Sequence, residues 1–418
     1  MRQISKTNGE AAASSQRPSH STQQRGKTQA PALLSSTVVG SANRGRVLEA
    51  LYDLGPTSRA DLARQAGVNR TTISGIVQPL IDRQILVEGK SARSGEGGGK
   101  PARPLWFSPQ AQPICGVLLM PGIVRAGLMT LSGEVIAESS APIATDISQR
   151  DGILVTIAQT VEQVLLQAGR PPLGIGIAAG GMVDTDRRLV VASNLAPVLD
   201  GLPIGADLER RFGLPVVLDH HPRALLVGDR WFGKGRGLRD CAAVYTGEVL
   251  GGALYLDGHL RRGALGAGGE LGHTFVQVDG DLCTCGRRGC WDTIATLGWL
   301  RREAAAAGLP DPDLVSAARL VAVAGEAPAI RLIDRYARNI AIGIANLQQS
   351  VAPNVFILHG DVVEGGVILR DAIARHVADL VPSRPNVDIR IELGTPGEKA
   401  ALLGAAGLVL SSLLHFPL

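Results

Sequence analysis

One segment of the sequence carries four side chains of the kinds that bind metal ions. His273 is followed by Cys283, Cys285 and Cys290, so three of the five cysteines lie within eight residues. No secretory signal precedes them, which favours a metal site over disulfides. One imidazole and three thiolates complete the tetrahedral shell of a structural Zn²⁺ and leave no position for a catalytic water. We predict that these four residues bind Zn²⁺ in a loop spanning 270–292; the alternative is a loop of free cysteines.

The N-terminal part of the chain shows the spacing of three short helices. Apolar side chains recur at helical intervals in 43–54 and again in 70–83. Ser58 is a preferred N-cap for a helix that continues to residue 66, and Asn69 can cap the third helix. A glycine-containing turn joins the second and third helices, which predicts a helix-turn-helix arrangement.

A basic hairpin is expected after the third helix. Short strands over 84–88 and 105–107 flank a Gly/Ser/Arg/Lys segment, residues 89–103. Such a hairpin beside a helix-turn-helix is a wing, and its cationic side chains suit contact with phosphates or the minor groove. We therefore predict a winged helix-turn-helix domain over residues 41–108.

Several side chains of this domain are candidates for DNA contact. The first turn of the third helix offers short polar groups and one arginine, which can reach base edges in the major groove. Two arginines of the second helix are placed to touch the flanking backbone, and two wing residues suit phosphates. The predicted DNA-binding residues are Arg59, Arg64, Arg70, Thr71, Thr72, Ser74, Lys100 and Arg103.

The charge distribution supports a polyanionic partner for the N-terminal part. The formal charge is +8 through Leu105 and −4 in the remainder, for a net +4. A basic front on an acidic body suggests binding to double-stranded DNA. Two alternatives remain open: a solvated basic tail, and a tri-helical module that binds another protein. Residues 1–40, rich in Ser, Gln, Ala and Arg, are expected to form a disordered tail.

The rest of the chain alternates strands and helices, which predicts an α/β body of two related lobes. No apolar run reaches the length of about 18 to 20 residues that a membrane span needs, so we expect a cytoplasmic protein. The predicted strands cover 114–119, 126–130, 135–139 and 173–178, a long amphipathic helix covers 153–168, and the alternation recurs in 242–256 and 340–358.

The chain resembles the ROK family (repressor, open reading frame, kinase) over roughly residues 43–415. The most specific likeness runs through Gly268-Gly269-Glu270-Leu271-Gly272-His273 and Cys283-Thr284-Cys285-Gly286-Arg287-Arg288-Gly289-Cys290. Further matches are Ser58-Arg59-Ala60-Asp61-Leu62-Ala63 with Gly67-Val68-Asn69-Arg70-Thr71-Thr72-Ile73-Ser74, which is similar to the repressor branch, and Gly174-Ile175-Gly176-Ile177-Ala178, Val183-Asp184 and Asn194-Leu195. The resemblance implies an actin-like, hexokinase-like pair of lobes with a cleft between them, over residues 112–418.

The resemblance also implies a ligand pocket in that cleft. Carboxylates paired with imidazoles suit the hydroxyls of a sugar, or of a phosphosugar if His220, His221 or Arg223 is cationic. The alternative is a pair of adjacent histidines at a strand end that contacts no ligand. The implied ligand-binding residues are His220, His221, Glu270, His273 and Asp292, the last in place of a family glutamate.

Three features that the family's kinases need for catalysis are missing. On the alignment, His220 and His221 replace an Asn-Asp pair whose Asp is the general base, and Asp219 lies too early on its strand. The first phosphate loop reads 118–122 without a carboxylate for Mg²⁺. The second reads Gly247-Glu248-Val249, which places an acid where phosphates bind. The resemblance therefore implies a non-catalytic body.

These observations predict a ligand-responsive transcriptional regulator of the ROK family, and we expect a repressor. Its expected partners are a palindromic DNA operator, a sugar or sugar-phosphate effector, and further copies of the chain in a homodimer or tetramer. Two alternatives stay open. One is a sugar kinase with a relocated base such as Asp219, and the other is a regulator that responds to a protein partner instead of a small molecule.

Overall fold

The computed structural model describes residues 36–89 and 103–413, apart from positions 147, 149, 151, 324, 326 and 386. Most of the predicted N-terminal tail and most of the predicted wing, with Lys100, therefore lie outside the described residues. Helix α1 spans Ser36–Leu54 and so begins within residues 1–40, for which a tail was predicted.

The N-terminal domain combines three helices with a three-stranded antiparallel sheet. After α1 come α2, Arg59–Ala66, and α3, Arg70–Asp82, as the sequence predicts. Strands β2, Leu86–Glu88, and β3, Pro104–Phe107, form the base of the predicted wing. The sheet order is β1-β3-β2, and β1, Thr57–Ser58, is a strand that the sequence did not indicate.

Capping residues set the ends of the second and third helices. The Ser58 hydroxyl accepts the backbone N–H of Asp61 at 3.2 Å, and Asn69 Oδ1 accepts that of Thr72 at 2.8 Å. Each cap satisfies a backbone donor that would otherwise lack a partner. Gly67, at φ 64°, ends α2 in the left-handed conformation that glycine adopts at little cost. The predicted helix-turn-helix is confirmed.

The body has two lobes whose five-stranded sheets share one topology. In each sheet the first three strands form an antiparallel meander, and two later strands add in parallel to the first. The first lobe has the order β10-β7-β4-β5-β6, and the second has β13-β12-β11-β14-β15. The first-lobe strands are β4 Ile114–Met120, β5 Ile123–Met129, β6 Val135–Pro142, β7 Ile175–Ala179 and β10 Val216–His220, with a separate hairpin of β8 Met182–Asp184 and β9 Leu189–Ala192. The second-lobe strands are β11 Cys241–Thr246, β12 Gly251–Leu256, β13 His259–Leu260, β14 Val355–Gly360 and β15 Arg390–Leu393.

Helices cover both sheets, which confirms the predicted α/β class. Helix α12, the last one in the described residues, returns to the first lobe, where it packs against β4, β7 and α6. The body helices are α4 Ile153–Leu165, α5 Ile204–Phe212, α6 His221–Phe232, α7 Leu297–Ala306, α8 Ala317–Ala322, α9 Ala327–Val351, α10 Asp361–Glu364, α11 Gly366–Leu380 and α12 Lys399–Leu413.

Glycines let α6 and α12 pack at backbone contact. A Cβ added at Gly404 of α12 would lie 2.4 Å from the carbonyl oxygen of Ala224, and one at Gly228 would lie 2.8 Å from the Gly404 Cα. On its other side, α12 rests on sheet glycines: a Cβ at Gly176 would lie 1.8 Å from the Ala405 carbonyl oxygen. Any side chain at these positions would force the helices and the sheet apart.

We expect Gly404→Ala to destabilise the body by about 1–3 kcal/mol, because the added methyl group overlaps a backbone carbonyl rather than a movable side chain. The thermal midpoint by calorimetry would report the change. Gly75→Ala is the matched control, since Gly75 is also helical and a Cβ there meets nothing within 4 Å. That control should be neutral or stabilise by up to about 1 kcal/mol. Equal midpoints for the two variants would contradict the packing argument.

Candidate functional site

The two lobes enclose a cavity of about 280 Å³ where their sheets face each other. It is lined by the end of β4, the start of α6 and the start of α12 from the first lobe, and by β11, β14 and α10 from the second. Carboxyl ends of parallel strands are where open α/β sheets place their ligands. The polar lining residues are His221, Tyr245, His359, Glu364, Thr395 and Glu398.

His220 and His221 stand at the N-terminus of α6, and both are buried. Burial, with Arg223 as the second cause, lowers the pKa of His220 to about 4. Burial, together with His220 and His359, lowers the pKa of His221 to about 3. Both imidazoles are therefore neutral near pH 7 and supply hydrogen bonds without charge. These two imidazoles therefore do not supply the positive charge that would favour a phosphosugar, which leaves the guanidinium of Arg223 as the cation among the three residues named for that role.

Asp219, the candidate for a relocated base, is held in ion pairs. Its side chain is fully buried, with one carboxylate oxygen accepting Arg223 Nε at 2.6 Å and the other accepting Arg262 at 2.8 Å. The backbone N–H of His220 donates to the first oxygen at 2.7 Å. Both carboxylate oxygens of Asp219 are therefore engaged by groups of the protein itself, and the side chain is fully buried.

Arg223 is likewise committed to the protein interior. Its Nη1 donates to the carbonyl oxygens of Gly266 at 3.0 Å and Gly268 at 2.7 Å, while Nε pairs with Asp219. These bonds fix the loop before Glu270 against the first lobe. Glu270 itself is half-buried and directly precedes the short 3₁₀ turn Leu271–His273.

The segment Gly247-Glu248-Val249, predicted to correspond to the second phosphate loop of the kinases, carries one acid. Glu248 is exposed and pairs with Arg301 at 2.9 Å. Asp361, at the start of α10, has its pKa raised to about 6, mainly by burial and further by Glu364 and Glu248. Negative charge at this end of the cleft opposes binding of a nucleotide's phosphates.

The four predicted zinc ligands come together in the second lobe. The ligand atoms of His273, Cys283, Cys285 and Cys290 all lie within 4.8 Å of one another. Cys285 Sγ is 3.7 Å from Cys290 Sγ, and Cys283 Sγ is 3.6 Å from His273 Nδ1. A tetrahedral Zn²⁺ with Zn–S of about 2.3 Å and Zn–N of about 2.0–2.1 Å would separate two sulfurs by about 3.8 Å and sulfur from nitrogen by about 3.6 Å. The cluster therefore fits this ion.

Two glycines let the loop close around the cluster. Gly286 and Gly289 have φ values of 81° and 75°, as the predicted tight backbone requires. A Cβ at Gly289 would lie 1.8 Å from the carbonyl oxygen of Gln277. The loop also reaches the cleft, because Asp292 accepts the backbone N–H of Leu250, beside the segment 247–249, at 2.7 Å. One carboxylate oxygen of Asp292 is thus engaged by the protein.

Other cleft residues went unnoticed in the sequence. The buried His359 Nε2 lies 2.7 Å from Asp229 Oδ2, which joins β14 of the second lobe to α6 of the first. Tyr245 packs edge-on against His221, with ring centroids 4.8 Å apart. No motif marks these positions, since each gains its role only when distant segments meet. The contact between His359 and Asp229 spans 130 residues of chain.

On the N-terminal domain, the predicted DNA-binding residues differ in their exposure and in whether they already have a partner within the protein. Arg70, Thr71 and Arg103 are exposed, and Ser74 is half-buried. The exposed Thr72 hydroxyl donates to the cap oxygen of Asn69 at 2.9 Å.

The two arginines of α2 are already paired within the domain. Arg59 is bound to Glu88 at 2.7 Å and to Gln78 at 3.1 Å, so it stabilises the α2–α3–sheet contact. Arg64 is largely exposed and pairs with Asp61 at 3.0 Å on the same helix.

We expect His273→Gln and Cys285→Ser to remove bound zinc, because each variant deletes one of four ligands. Metal analysis should fall from about one zinc per chain toward none, and the thermal midpoint should drop, since metal-binding free energy is folding free energy here. His259→Gln is the control, because His259 is exposed and lies outside the cluster. Zinc content and melting that are unchanged in both ligand variants would refute the site.

Among the described residues, no helix is both long enough and apolar enough to cross a bilayer. Comparison with known proteins gives one family: the model of the ROK family matches residues 123–412. The chain is 26% identical to the xylose repressor of Caldicellulosiruptor bescii, over 91% of this chain and 98% of the relative. It is 30% identical to a glucokinase of Streptomyces coelicolor, over 68% of this chain and 93% of the enzyme.

A solved structure described as a ROK family transcriptional regulator, homolog of the E. coli MLC protein, matches with a TM-score of 0.75. The identity is 23%, and the match covers 90% of this chain and 97% of the other, so both the N-terminal domain and the two lobes are included. The predicted fold, a winged helix-turn-helix followed by a kinase-like body, is confirmed. The chain belongs to the ROK family.

Proposed function

We propose that the protein is a DNA-binding transcriptional repressor whose two-lobed body senses a small molecule. One observation carries the proposal: a winged helix-turn-helix is joined to a sugar-kinase-like cleft from which the catalytic base is absent. The proposed domains are 41–108 for DNA binding and 112–418 for sensing. A relative named a xylose repressor, aligned over 91% of this chain, supports this function. The proposed location is the cytoplasm, on DNA.

The proposed DNA contacts come from the first turn of α3 and from the wing. Arg70 and Thr71 are exposed at the N-terminus of α3, where a recognition helix presents its reading residues. Arg103 is exposed at the base of the wing and suits a phosphate. Two such domains in a homodimer or tetramer would read a palindromic operator.

The proposed cleft is non-catalytic, although the family includes glucokinases. A neutral, buried His221 occupies the position of the kinase base, and Asp219 is held by two arginines. Glu248 stands where a glycine-rich loop would hold phosphates. The proposed ligand is a sugar or a sugar derivative, and the proposed Zn²⁺ braces the loop that carries Glu270 and Asp292.

Helix α6 offers a direct route from the cleft to the DNA-binding domain. It begins at His221 in the cavity and ends at Phe232, and its 12 residues span about 18 Å. At the far end, Arg230 forms ion pairs with Glu49 and with Asp53, both on α1. The Arg230 side chain is only 8% exposed, so these pairs are less screened than surface ion pairs.

Apolar contacts reinforce the same junction. The Tyr52 ring of α1 packs on Trp231 of α6, with centroids 4.8 Å apart, and on Phe107 of the winged sheet at 4.2 Å. Elsewhere a cavity of about 940 Å³ separates α3 from the second lobe, with Thr72 and His259 among its lining residues. The domain is thus held at α1 and has space to turn beside α3.

Asp229 and Arg230 are adjacent in the sequence, but they bind different parts of the protein. Asp229 binds His359 of the second lobe, and Arg230 binds α1 of the DNA-binding domain. A change in lobe closure that moves Asp229 must therefore move the anchor of α1. This is the proposed coupling between effector and DNA, and by linkage DNA must alter effector affinity by the same factor.

We expect Arg70→Ala to weaken binding to the preferred DNA sequence by about tenfold or more and to relax its selectivity. Arg103→Ala should instead weaken binding to all sequences and reduce the salt slope by about 1. Fluorescence anisotropy on a sequence selected from random DNA would measure both effects. Arg187→Ala, an exposed arginine on the first lobe, is the control. If purified wild-type protein selects no DNA sequence at moderate salt, the proposal that it binds specific DNA is wrong.

We expect Arg230→Gln to release the DNA-binding domain from the body, because Glu49 and Asp53 lose their cationic partner. Hydrogen exchange should accelerate at the amides of α1 while the body strands stay protected. Arg239→Gln is the matched control, since Arg239 is exposed on the same edge of the large cavity. Unchanged exchange in α1 would show that Arg230 does not anchor the domain.

A further inference from the structure

The interlobe cavity is lined by hydrogen-bonding side chains and by carboxylates. Glu364 and Glu398 stand at its rim, and both residues are exposed. Imidazoles and a phenol line its interior, beside the apolar side chains of Leu118 and Leu225. None of the lining residues in the described part of the chain is a lysine or an arginine.

His221 is a buried polar group in this cavity without a protein partner. The residue is 6% exposed, and its ring nitrogens make no hydrogen bond to any other described residue. Its ring packs at right angles to that of Tyr245, and the neighbouring lining residue His359 has an Nδ1 that is buried without a hydrogen-bond partner. Leaving a buried polar group unsatisfied costs about 1–3 kcal/mol, which a ligand hydroxyl would recover. The neutral imidazole bonds a hydroxyl but adds no charge.

The charge around the cavity is negative on balance. Among the described contacts, Glu398 is paired with Arg125 and Glu248 with Arg301, whereas Glu364 has no ion pair. Asp361 lies behind Glu364 on the same short helix.

Three of these carboxylates also act on the phenol of Tyr245. Its pKa is raised by burial first and then by Asp361, Glu248 and Glu398, so these carboxylates act on one small volume. A phosphate ester placed there would be repelled, and an ammonium group would be attracted.

We infer that the effector is a hydroxyl-rich small molecule bearing an ammonium group, of the amino sugar class, rather than a phosphosugar. Its hydroxyls would bond His221 and Tyr245, and its ammonium group would lie beside Glu364. A volume of about 280 Å³ is at the lower end of small-molecule pockets and suits a single sugar ring. This inference rests on the proposed sensing function and narrows the ligand of the interlobe cavity. Of the predicted ligand-binding residues, this cavity is lined by His221 and not by His220, Glu270, His273 or Asp292.

Calorimetric titration of the full-length protein with matched sugars tests the inference. The probes are D-glucosamine, D-galactosamine, their parent sugars, D-xylose and the two hexose 6-phosphates. We expect at least one amino sugar to bind ten times or more tightly than its parent sugar and its phosphate. A neutral sugar or a phosphate that binds more tightly than every amino sugar would overturn the inference, and so would a panel without binding.

The variant Glu364→Gln tests whether the ammonium group of the ligand contacts Glu364, because it removes the charge of that side chain and keeps its size. Because Glu364 is exposed, the variant should fold, and it should weaken the amino sugar about fivefold or more while leaving the parent sugar unchanged. Glu162→Gln, an exposed acid on α4, is the matched control and should change neither affinity. Equal weakening of amino and parent sugars by Glu364→Gln would also overturn the assignment.

The DNA experiment keeps the two proposals apart. If no amino sugar binds while the protein still selects a DNA sequence, the ligand class is wrong and the regulator stands. Control by a protein partner then becomes the better explanation of its regulation. If no DNA sequence is selected either, the proposed function itself fails.

Discussion

Burial of α6 along its whole length is the constraint on which the arrangement of this protein depends. Every residue from His221 to Trp231 is buried, so the helix contacts the first-lobe sheet, α12, the second lobe and the DNA-binding domain at once. A helix enclosed on all sides cannot bend or rotate alone, because close-packed interiors move as blocks. Whatever shifts its N-terminus in the cleft must shift its C-terminus at α1.

The same burial explains why the cleft has changed its chemistry without losing its shape. The Gly228–Gly404 crossing fixes the position of α6, so the residues at its start can vary while the scaffold stays. Two neutral histidines stand there, and Asp219 is tied to Arg223 and Arg262. In the proposed non-catalytic cleft these residues make hydrogen bonds and ion pairs and do not present a free base. The acids at the opposite wall disfavour phosphates.

Local features of this fold could be predicted from the sequence, and long-range ones could not. Ser58 and Asn69 cap helices by contacts within three residues, and the predicted zinc ligands span 18 positions with glycines that permit closure. These short-range patterns predict a helix cap or a metal site without knowledge of the rest of the fold. The bond between His359 and Asp229, by contrast, depends on how two lobes meet. The hydrogen bond between Asp292 and Leu250 and the ion pair between Arg59 and Glu88 could not be predicted either, because each joins residues that lie far apart in the sequence. The early start of α1 was missed since its first residues lack an apolar pattern.

The return of α12 to the first lobe has a consequence for synthesis of the chain. The face of the β4 and β7 strands that carries Gly116 and Gly176 is covered by residues 399–413, which follow the second lobe in the sequence. The second lobe is therefore inserted within the first, and it can mature while the first still lacks one wall. An apolar sheet face therefore stays open to chaperones, or to a neighbouring nascent chain, until α12 has been made and has packed against it. Closure of the first lobe waits for residues that follow the whole second lobe in the sequence.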